Sequence, residues 1–336
     1  MRIGVFGAGS IGAYIGAMLT RSGADVVLVG RAALADAVSA HGLRVSDNDG
    51  LEAVLHDLVV VTSVEALRDR QLVFVTTKSA DTETAGRELA RVFGDGERRC
   101  IVSFQNGVGN ADVLRRHLPK AQVLAGMVPY NVVWQAPAHF HRGTSGDLMV
   151  EALAGAEATV ALLCKAGLDA VTRDDLGGVL WGKLLLNLNN PVNALTGLPL
   201  KRQLLERDGR RIVAALMREG LRVLDAAGIV PAKAGTVGPR WVPFLLDLPT
   251  PVFKRIAASM LKLDDDARSS MWEDLNKRRR TEIDWINGEI VRLAAAHRTT
   301  APLNAAIIGL VREAEAAGQG SPQWSATQIA QRLGMR

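Results

Sequence analysis

Near the amino end, the string Gly7-Ala8-Gly9-Ser10-Ile11-Gly12 joins a short apolar run, Arg2 to Phe6, to a stretch of helical character from Ile11 to about Ser22. Asp25 to Val29 then reads as a second strand. Strand, glycine turn, helix and strand in that order mark a βαβ unit that binds a dinucleotide, and no other feature of the chain restricts its fold so strongly. In that setting Gly7 permits the tight turn, Gly9 lets the backbone approach a pyrophosphate, and Gly12 lets the helix pack closely on the strand. With Ala8, Ser10 and Ile11 they form the expected cofactor loop, where the positive end of the helix faces the phosphates. The alternative is a glycine-rich turn with no nucleotide, or one serving a flavin or a methyl donor.

The end of the second strand bears on the cofactor. An NAD site calls for an acid there to accept hydrogen bonds from the ribose 2′-hydroxyl, whereas this chain has Val29-Gly30-Arg31. A guanidinium suits a 2′-phosphate, so NADP(H) is expected, the other reading of Arg31 being plain surface charge. Further βα units follow: a strand from Leu72 to Thr76 ending at Thr77-Lys78-Ser79, a helix from Thr82 to Phe93, and a strand from Cys100 to Phe104 ending at Gln105-Asn106-Gly107. Open α/β sheets bind ligands at strand carboxyl ends, which places Lys78 and Asn106 along the cofactor cleft. An ordinary loop lysine and an Asn-Gly turn are the plainer readings of the same two residues. From Val123 to Glu151 the pattern is strand-like, and a helix near Glu157 to Ala166 and a strand near Leu168 to Thr172 follow.

After Asp174 strand signals vanish and helical periodicity takes over, with helices expected over Trp181 to Asn189, Leu204 to Ala227, Thr250 to Leu263, Ser269 to Asn276, Thr281 to His297 and Leu303 to Ala317. The 336 residues suit two domains, and the change of texture puts the boundary between 1–173 and 174–336. The fold class expected is α/β, an N-terminal Rossmann dinucleotide-binding domain followed by an all-α C-terminal domain. The first helix of the second part places Lys183, Asn187 and Asn190 at i, i+4 and i+7 on one face, among Trp181, Leu184, Leu185 and Leu188. An ammonium in apolar surroundings is unfavourable unless something anionic meets it, so the helix points to a ligand or a carboxylate; a snorkelling surface lysine is the alternative.

Composition removes several function classes. A net charge of +5 and 4% aromatic residues give no stacking platform for single-stranded nucleic acid, and the modest positive excess suits small anions. No apolar run approaches the roughly 18 residues that span a bilayer. The first strand begins at Arg2, which leaves no room ahead of it for a targeting peptide, so a cytoplasmic protein is expected. Cys100 and Cys164 have no metal-type spacing and read as buried thiols in a reducing compartment. His139 and His141 form an H-x-H pair without a nearby third ligand and read as polar-face strand positions, so no metal is expected.

Taken together, several of these motifs resemble one family, 2-dehydropantoate 2-reductase, also called ketopantoate reductase. The matching residues are the glycine string, Lys78 after a strand, Gln105-Asn106-Gly107, Trp181-x-Lys183-x-x-x-Asn187, Ser269-Ser270-Met271, Thr281-Glu282-Ile283-Asp284-x-Ile286-Asn287-Gly288 and Ala301-Pro302-x-Asn304. The resemblance implies NADPH-dependent reduction of 2-dehydropantoate to pantoate on the route to pantothenate. It implies Lys183 as general acid and Asn106 beside nicotinamide and substrate. Lys78 would lie in the cofactor cleft, Asn187 and Ser270 would hold the substrate hydroxyl and carboxylate, and Glu282 would interact with substrate and Lys183. The chemistry of a ketone agrees, because hydride arriving at its carbon leaves charge on oxygen, which a nearby ammonium stabilises and protonates. The partners expected are a small 2-oxo acid and a second copy in a homodimer, with neither nucleic acid nor membrane.

The chain departs from the family in one place. The family shows a second asparagine eight residues after the lysine, followed by proline; here that position is Pro191 itself, and Asn190 is the candidate replacement. Ser270 and Glu282 are twelve residues apart, roughly 18 Å along one straight helix, too far for both to touch one small acid. Ser270 precedes Glu273 and Thr281 precedes Asp284 in capping patterns, so a break is expected at the basic run Lys277 to Arg280, one continuous helix being the alternative. Two other functions stay open: a non-catalytic NADP(H)-binding sensor, and an opine-type or hydroxyacid dehydrogenase acting on another 2-oxo acid. The second typically uses a histidine acid/base, and no histidine lies on the Lys183 helix or beside Asn106.

Overall fold

The computed structural model describes residues 1–94, 99–233, 237–258 and 266–335, and the chain divides into two compact units, Met1–Leu176 and Gly177–Arg336. The first unit contains the strands β1 (Arg2–Phe6), β2 (Asp25–Val29), β3 (Leu43–Asp47), β4 (Glu52–Leu55), β5 (Val59–Val61) and β6 (Leu72–Val75). β7 (Cys100–Ser103), β8 (Gln122–Met127), β9 (Val132–Ala136), β10 (His139–Arg142), β11 (Leu148–Glu151) and β12 (Ala170–Arg173) follow. Its helices are α1 (Ser10–Arg21), α2 (Ala32–His41), α3 (Thr82–Phe93), α4 (Asn110–His117) and α5 (Ala156–Lys165).

Eight strands form one sheet in the order β5-β2-β1-β6-β7-β8-β11-β12. β5 through β8 in that order are parallel, while β11 runs antiparallel to β8 and parallel to β12. This is the doubly wound Rossmann arrangement, and its order reverses between β1 and β6, where adjacent strand ends leave a crevice. The central strands are almost wholly apolar because both faces are covered. Alternate residues divide between two cores, Ile3, Val5, Phe74 and Val102 on one face and Val73, Val75 and Ile101 on the other. α1 lies so close to the sheet that a Cβ on Gly12 would overlap Thr76 Oγ1 and the Gly7 carbonyl. A second sheet, β4-β3-β10-β9, pairs β3 in parallel with β10. The sequence pattern covered β9 to β11 but not β3 to β5, whose three to five residues are too short for a clear alternation.

The second unit contains α6 (Leu176–Asn187), α7 (Asn189–Thr196), α8 (Leu200–Leu205), α9 (Arg207–Ala226), α10 (Val242–Asp247), α11 (Thr250–Ile256), α12 (Ser270–Asn276), α13 (Ile283–Ala296), α14 (Pro302–Ala317) and α15 (Ala326–Arg332). No strand occurs among its described residues. The helix expected over 250–263 ends at Ile256, and 259–265 lie outside the described residues. α9 is the central helix, packed by α7, α8, α10, α13, α14 and α15. At Gly220 it admits Leu185 of α6 and Ile290 of α13, which a Cβ would meet at 2.8 Å and 3.4 Å. The face of α6 carrying Gly178 and Gly182 is covered by the backbone of 230–232, with Ala232 N donating to Gly178 O at 2.8 Å.

Three expectations are corrected. The helix carrying Lys183 stops at Asn187, and Asn190 stands on the next helix, so no single helical face carries Lys183, Asn187 and Asn190. Pro191 is the cause, because it has no N–H to give the Asn187 carbonyl and its ring crowds that oxygen. The helix start expected at Ser270 lies one residue earlier: Ser269 is the N-cap, its Oγ accepting from Trp272 N at 3.2 Å. Cys164 is exposed and Cys100 half-buried, so the pair of buried thiols is not found; Cys164 lies on the outer side of α5, which the apolar string around it conceals. The break at the basic run is present. α12 ends at Asn276, Arg278 has a φ of 53°, and α13 begins at Ile283.

Glu219 of α9, 1% exposed, closes the amino end of α14, accepting from Leu303 N at 3.1 Å and from Asn304 N and Asn304 Nδ2 at 2.8 Å each. α14 has no side-chain cap of its own and carries Pro302 in its first turn, so this carboxylate supplies what the helix lacks. Replacing Glu219→Ala leaves buried donors unmatched and is expected to lower unfolding stability by about 2–4 kcal/mol in urea titrations. A loss below about 0.5 kcal/mol would show that water serves those donors equally well.

Candidate active site

The glycine loop is folded onto the end of β2. Gly7 N and Ala8 N donate to Val29 O at 3.1 Å and 2.9 Å, and Gly9 N donates to Gly7 O at 2.6 Å. Gly7 has a φ of 107°, and a Cβ on it would lie 2.7 Å from Thr77 N, so a side chain is excluded twice over. The first N–H groups of α1, on Ser10, Ile11 and Gly12, have no intrahelical acceptor by the geometry of a helix start. α1 has no side-chain cap and no acid in its first turn. A Cβ on Gly9 would meet only Gly7 O, at 4.0 Å, so the space over the loop is open. These residues fit a pyrophosphate.

Arg31 is exposed at the N-cap of α2, a helix with no acid in its first turn and no side-chain cap bond. Gly30, just before it, faces the glycine loop so closely that a Cβ would come within 2.8 Å of Ala8 Cβ. Arg31 therefore follows the carboxyl end of β2, one residue after the contact with the loop. Lys78 and Asn106 follow β6 and β7, and their segments are tied together, with Ser79 Oγ donating to Asn106 O at 2.6 Å. Gly107, with a φ of 85°, turns the chain away immediately afterwards.

In the second unit Lys183 is half-buried on α6, and Glu282 is 9% exposed at the N-cap of α13. Burial lowers the Lys183 ammonium to a pKa of about 8, and the Glu282 carboxylate, acting in the opposite sense, raises it. Buried Thr281 and Ile283 flank Glu282, and Thr281 N donates to Glu315 Oε1 at 2.7 Å, which fixes the turn. Its neighbour Asp284 pairs with Arg312 at 2.6 Å and Arg280 at 3.2 Å. Asn187 closes α6 half-buried. Of the two asparagines that follow, Asn189 accepts from Gln203 Nε2 at 2.7 Å through its side chain, whereas the backbone carbonyl of Asn190 accepts from Ser269 Oγ at 3.4 Å. Ser270 is exposed on the first turn of α12.

Sequence reading missed the residues that seat α12. Asn193, fully buried, accepts from Ser269 N at 2.9 Å and donates to Leu198 O at 2.8 Å and Gln203 Oε1 at 2.9 Å. Nothing in a single sequence separates such an amide from the surface amides beside it. His139 and His141 both face Ser46 Oγ, at 2.9 Å and 2.8 Å, on the second sheet. Among the described residues no three His, Cys, Asp or Glu side chains are grouped as metal ligands, and no helix is long and apolar enough to cross a membrane.

Residues 3–155 match the family model described as ketopantoate reductase PanE/ApbA, and residues 175–315 match its C-terminal counterpart. The 2-dehydropantoate 2-reductase of Archaeoglobus fulgidus is 28% identical over 320 residues, covering 94% of this chain and 98% of that protein. The crystal structure of a PanE/ApbA family ketopantoate reductase from Ralstonia eutropha superposes with a TM-score of 0.81 at 29% identity, covering 95% of this chain and all of that one. D-mandelate dehydrogenase, in its ternary structure with NADH and anilino(oxo)acetate, shares the fold with a TM-score of 0.79 at 23% identity over 95% of this chain and 99% of that one.

An ammonium whose proton leaves at about pH 8 is a better acid than an exposed lysine and is still mostly charged at neutrality. Reductive ¹³C-methylation followed by NMR titration should find one lysine resonance, absent from Lys183→Ala, that titrates near pH 8. Because Glu282 raises this pKa, Glu282→Gln should move the same resonance lower. An unmoved resonance, or one titrating with the surface lysines, would separate the two groups electrostatically.

Proposed function

Because the chain belongs to the ketopantoate reductase family, we propose that it catalyses the NADPH-dependent reduction of 2-dehydropantoate to pantoate in pantothenate biosynthesis. The observation that carries this reading is the Lys183 ammonium, lowered by burial to about 8 and facing the charge of Glu282. Such a group can give up a proton at neutral pH, which the reduction of a ketone needs and a bare dinucleotide-binding sensor does not.

The nicotinamide cofactor, when bound, supplies the hydride. Ser10, Ile11 and Gly12 at the start of α1 hold its pyrophosphate, Arg31 holds the 2′-phosphate, and Lys78 and Asn106 line the cleft at the ends of β6 and β7. Lys183 Nζ donates a hydrogen bond to the keto oxygen, stabilises the negative charge that grows there, and transfers its proton as the alcohol forms. Solvent then returns a proton to the amine. Glu282 keeps Lys183 charged and oriented, and Asn187, Asn190 and Ser270 hold the hydroxyl and carboxylate of the acid. Ser269 performs the capping of α12, which leaves the Ser270 hydroxyl exposed for this role. Of the two asparagines after Asn187, the engagement of the Asn189 side chain by Gln203 favours Asn190 as the substrate amide. The same reading places the enzyme in the cytoplasm, where an exposed thiol such as Cys164 stays reduced.

Pro191 in place of the family's second asparagine favours one other reading, a reductase of the same type acting on a different 2-oxo acid. NADPH oxidation against a panel of 2-oxo acids separates the two: 2-dehydropantoate should show the highest kcat/KM, and a clear preference for another acid would replace it as substrate. Lys183→Ala should lower kcat at least about a hundredfold while NADPH still binds. In the wild type, kcat for reduction should hold below pH 8 and fall above it, since the acid must carry its proton. Arg31→Ala should raise the KM for NADPH about tenfold and leave that for NADH nearly unchanged. Equal use of NADH by the wild type would refute the role given to Arg31.

A further inference from the structure

Between β6 and β7 the structure has a buried chain of polar side chains that the catalytic scheme does not use. Ser103 Oγ donates to Gln105 Oε1 at 2.9 Å, and Gln105 Nε2 donates to Thr77 O at 3.1 Å and Thr82 Oγ1 at 2.7 Å. Thr82 Oγ1 donates onward to Asn110 Oδ1 at 2.9 Å. The Asn110 amide nitrogen then donates to Asn106 O at 2.7 Å and Ser79 Oγ at 3.2 Å, and Ser79 Oγ itself donates to Asn106 O. Thr82 is 1% exposed, Ser103 3%, Ser79 4%, and Gln105 and Asn110 6% each.

The bonds share one direction. Each donor's own oxygen or amide is the acceptor of the group before it, so the links polarise one another, and removing one leaves buried partners unmatched on both sides. The chain ends on the Asn106 carbonyl, which takes two of its bonds and so has its peptide plane fixed. It also passes through Ser79, the residue after Lys78. Lys78 and Asn106 follow different strands, and this chain of side-chain bonds joins the two segments directly.

We infer that Thr82 and Asn110 are positioning residues for the cofactor site: through Ser79 and the Asn106 carbonyl they hold Lys78 and the Asn106 side chain in register for the nicotinamide. The inference rests on the reading of Lys78 and Asn106 as cofactor-cleft residues. A merely structural role would show as lost stability alone, whereas a positioning role alters kinetic constants in enzyme that remains folded.

Thr82→Val keeps the shape and removes the hydroxyl at the middle of the chain, and Thr82→Ser restores it. Affinity for NADPH is read directly from nicotinamide fluorescence and turnover from NADPH oxidation, both at a temperature where circular dichroism shows each variant folded. Thr82→Val should lower kcat about tenfold, the scale of a slight misplacement of reacting groups, and raise the Kd for NADPH by a smaller factor. Thr82→Ser should stay within about twofold of the wild type in both. Folded Thr82→Val with wild-type Kd and kcat would overturn the inference, as would equal losses in the valine and serine variants. If Thr82→Val does not fold, Ser79→Ala, which removes only the last link, is measured in the same way and decides by the same criteria. A wild type that binds no NADPH would instead refute the cofactor reading itself, and a wild type that binds NADPH but reduces no 2-oxo acid would refute the proposed reaction and leave the Kd comparison to decide the inference.

Discussion

The first unit depends on one contact without clearance, the approach of α1 to the sheet at Gly12. No side chain separates this residue from Val5, Thr76 and the Gly7 carbonyl, and Thr76 Oγ1 closes the contact by donating to Gly7 O at 2.7 Å. The contact joins β1, α1 and the end of β6, the strands between which the order reverses, and so sets where the amino end of the helix points. A methyl group at Gly12 would have to push the helix outwards, and the backbone amides at its start would move with it. The glycine loop is therefore a packing requirement in its own right.

The second unit meets the opposite problem, a charge in apolar surroundings. In the folded protein the Lys183 ammonium has a pKa of about 8, below its ordinary 10.5, so below pH 8 its burial opposes folding. The penalty fades as the pH rises between those two values, because there the native state gives up a proton that the unfolded chain keeps. Glu282 reduces it without removing it. The helices that carry the two residues are both seated on α9 at Gly220, and the turn before α13 is fixed by Thr281 and Glu315. Support from α9 and from the Glu315 carboxylate lets an unfavourable charge persist at a chosen place.

Much of this architecture was legible because periodicity and punctuation agreed. β1 and β2 have the expected limits, and α3 runs from Thr82 to Phe93 as read. The break after Asn276 falls at the basic run as expected, although neither capping pattern is realised: Ser269 caps α12, and Glu282 stands at the N-cap of α13 with no side-chain bond. Where the reading failed, the deciding interaction was not local. β3 to β5 are short strands whose pairing partners lie elsewhere in the chain. Pro191 marks the end of α6 from four residues beyond it, but the apolar and amide pattern runs on across the break. Ser269 and Ser270 both suit a helix start, and tertiary bonds to Asn190 and Asn193 select the first. Lys78 and Asn106 could be placed at strand ends from sequence, whereas the polar chain joining them could not, since a residue type does not name its partner.

The second sheet also bears on how the first unit is made. β3 and its hairpin partner β4 emerge from the ribosome early, but β10, which pairs with β3 in parallel, follows about ninety-five residues later. Closing a loop of that length costs entropy that local contacts do not repay, and until it closes β3 keeps an unpaired edge open to other chains. The parallel strands β1, β6, β7 and β8 are all complete before β9 begins. In chain order the crevice at the sheet's order reversal is thus finished while this small sheet is still half built, which leaves the β3 edge open to misassociation in the nascent protein.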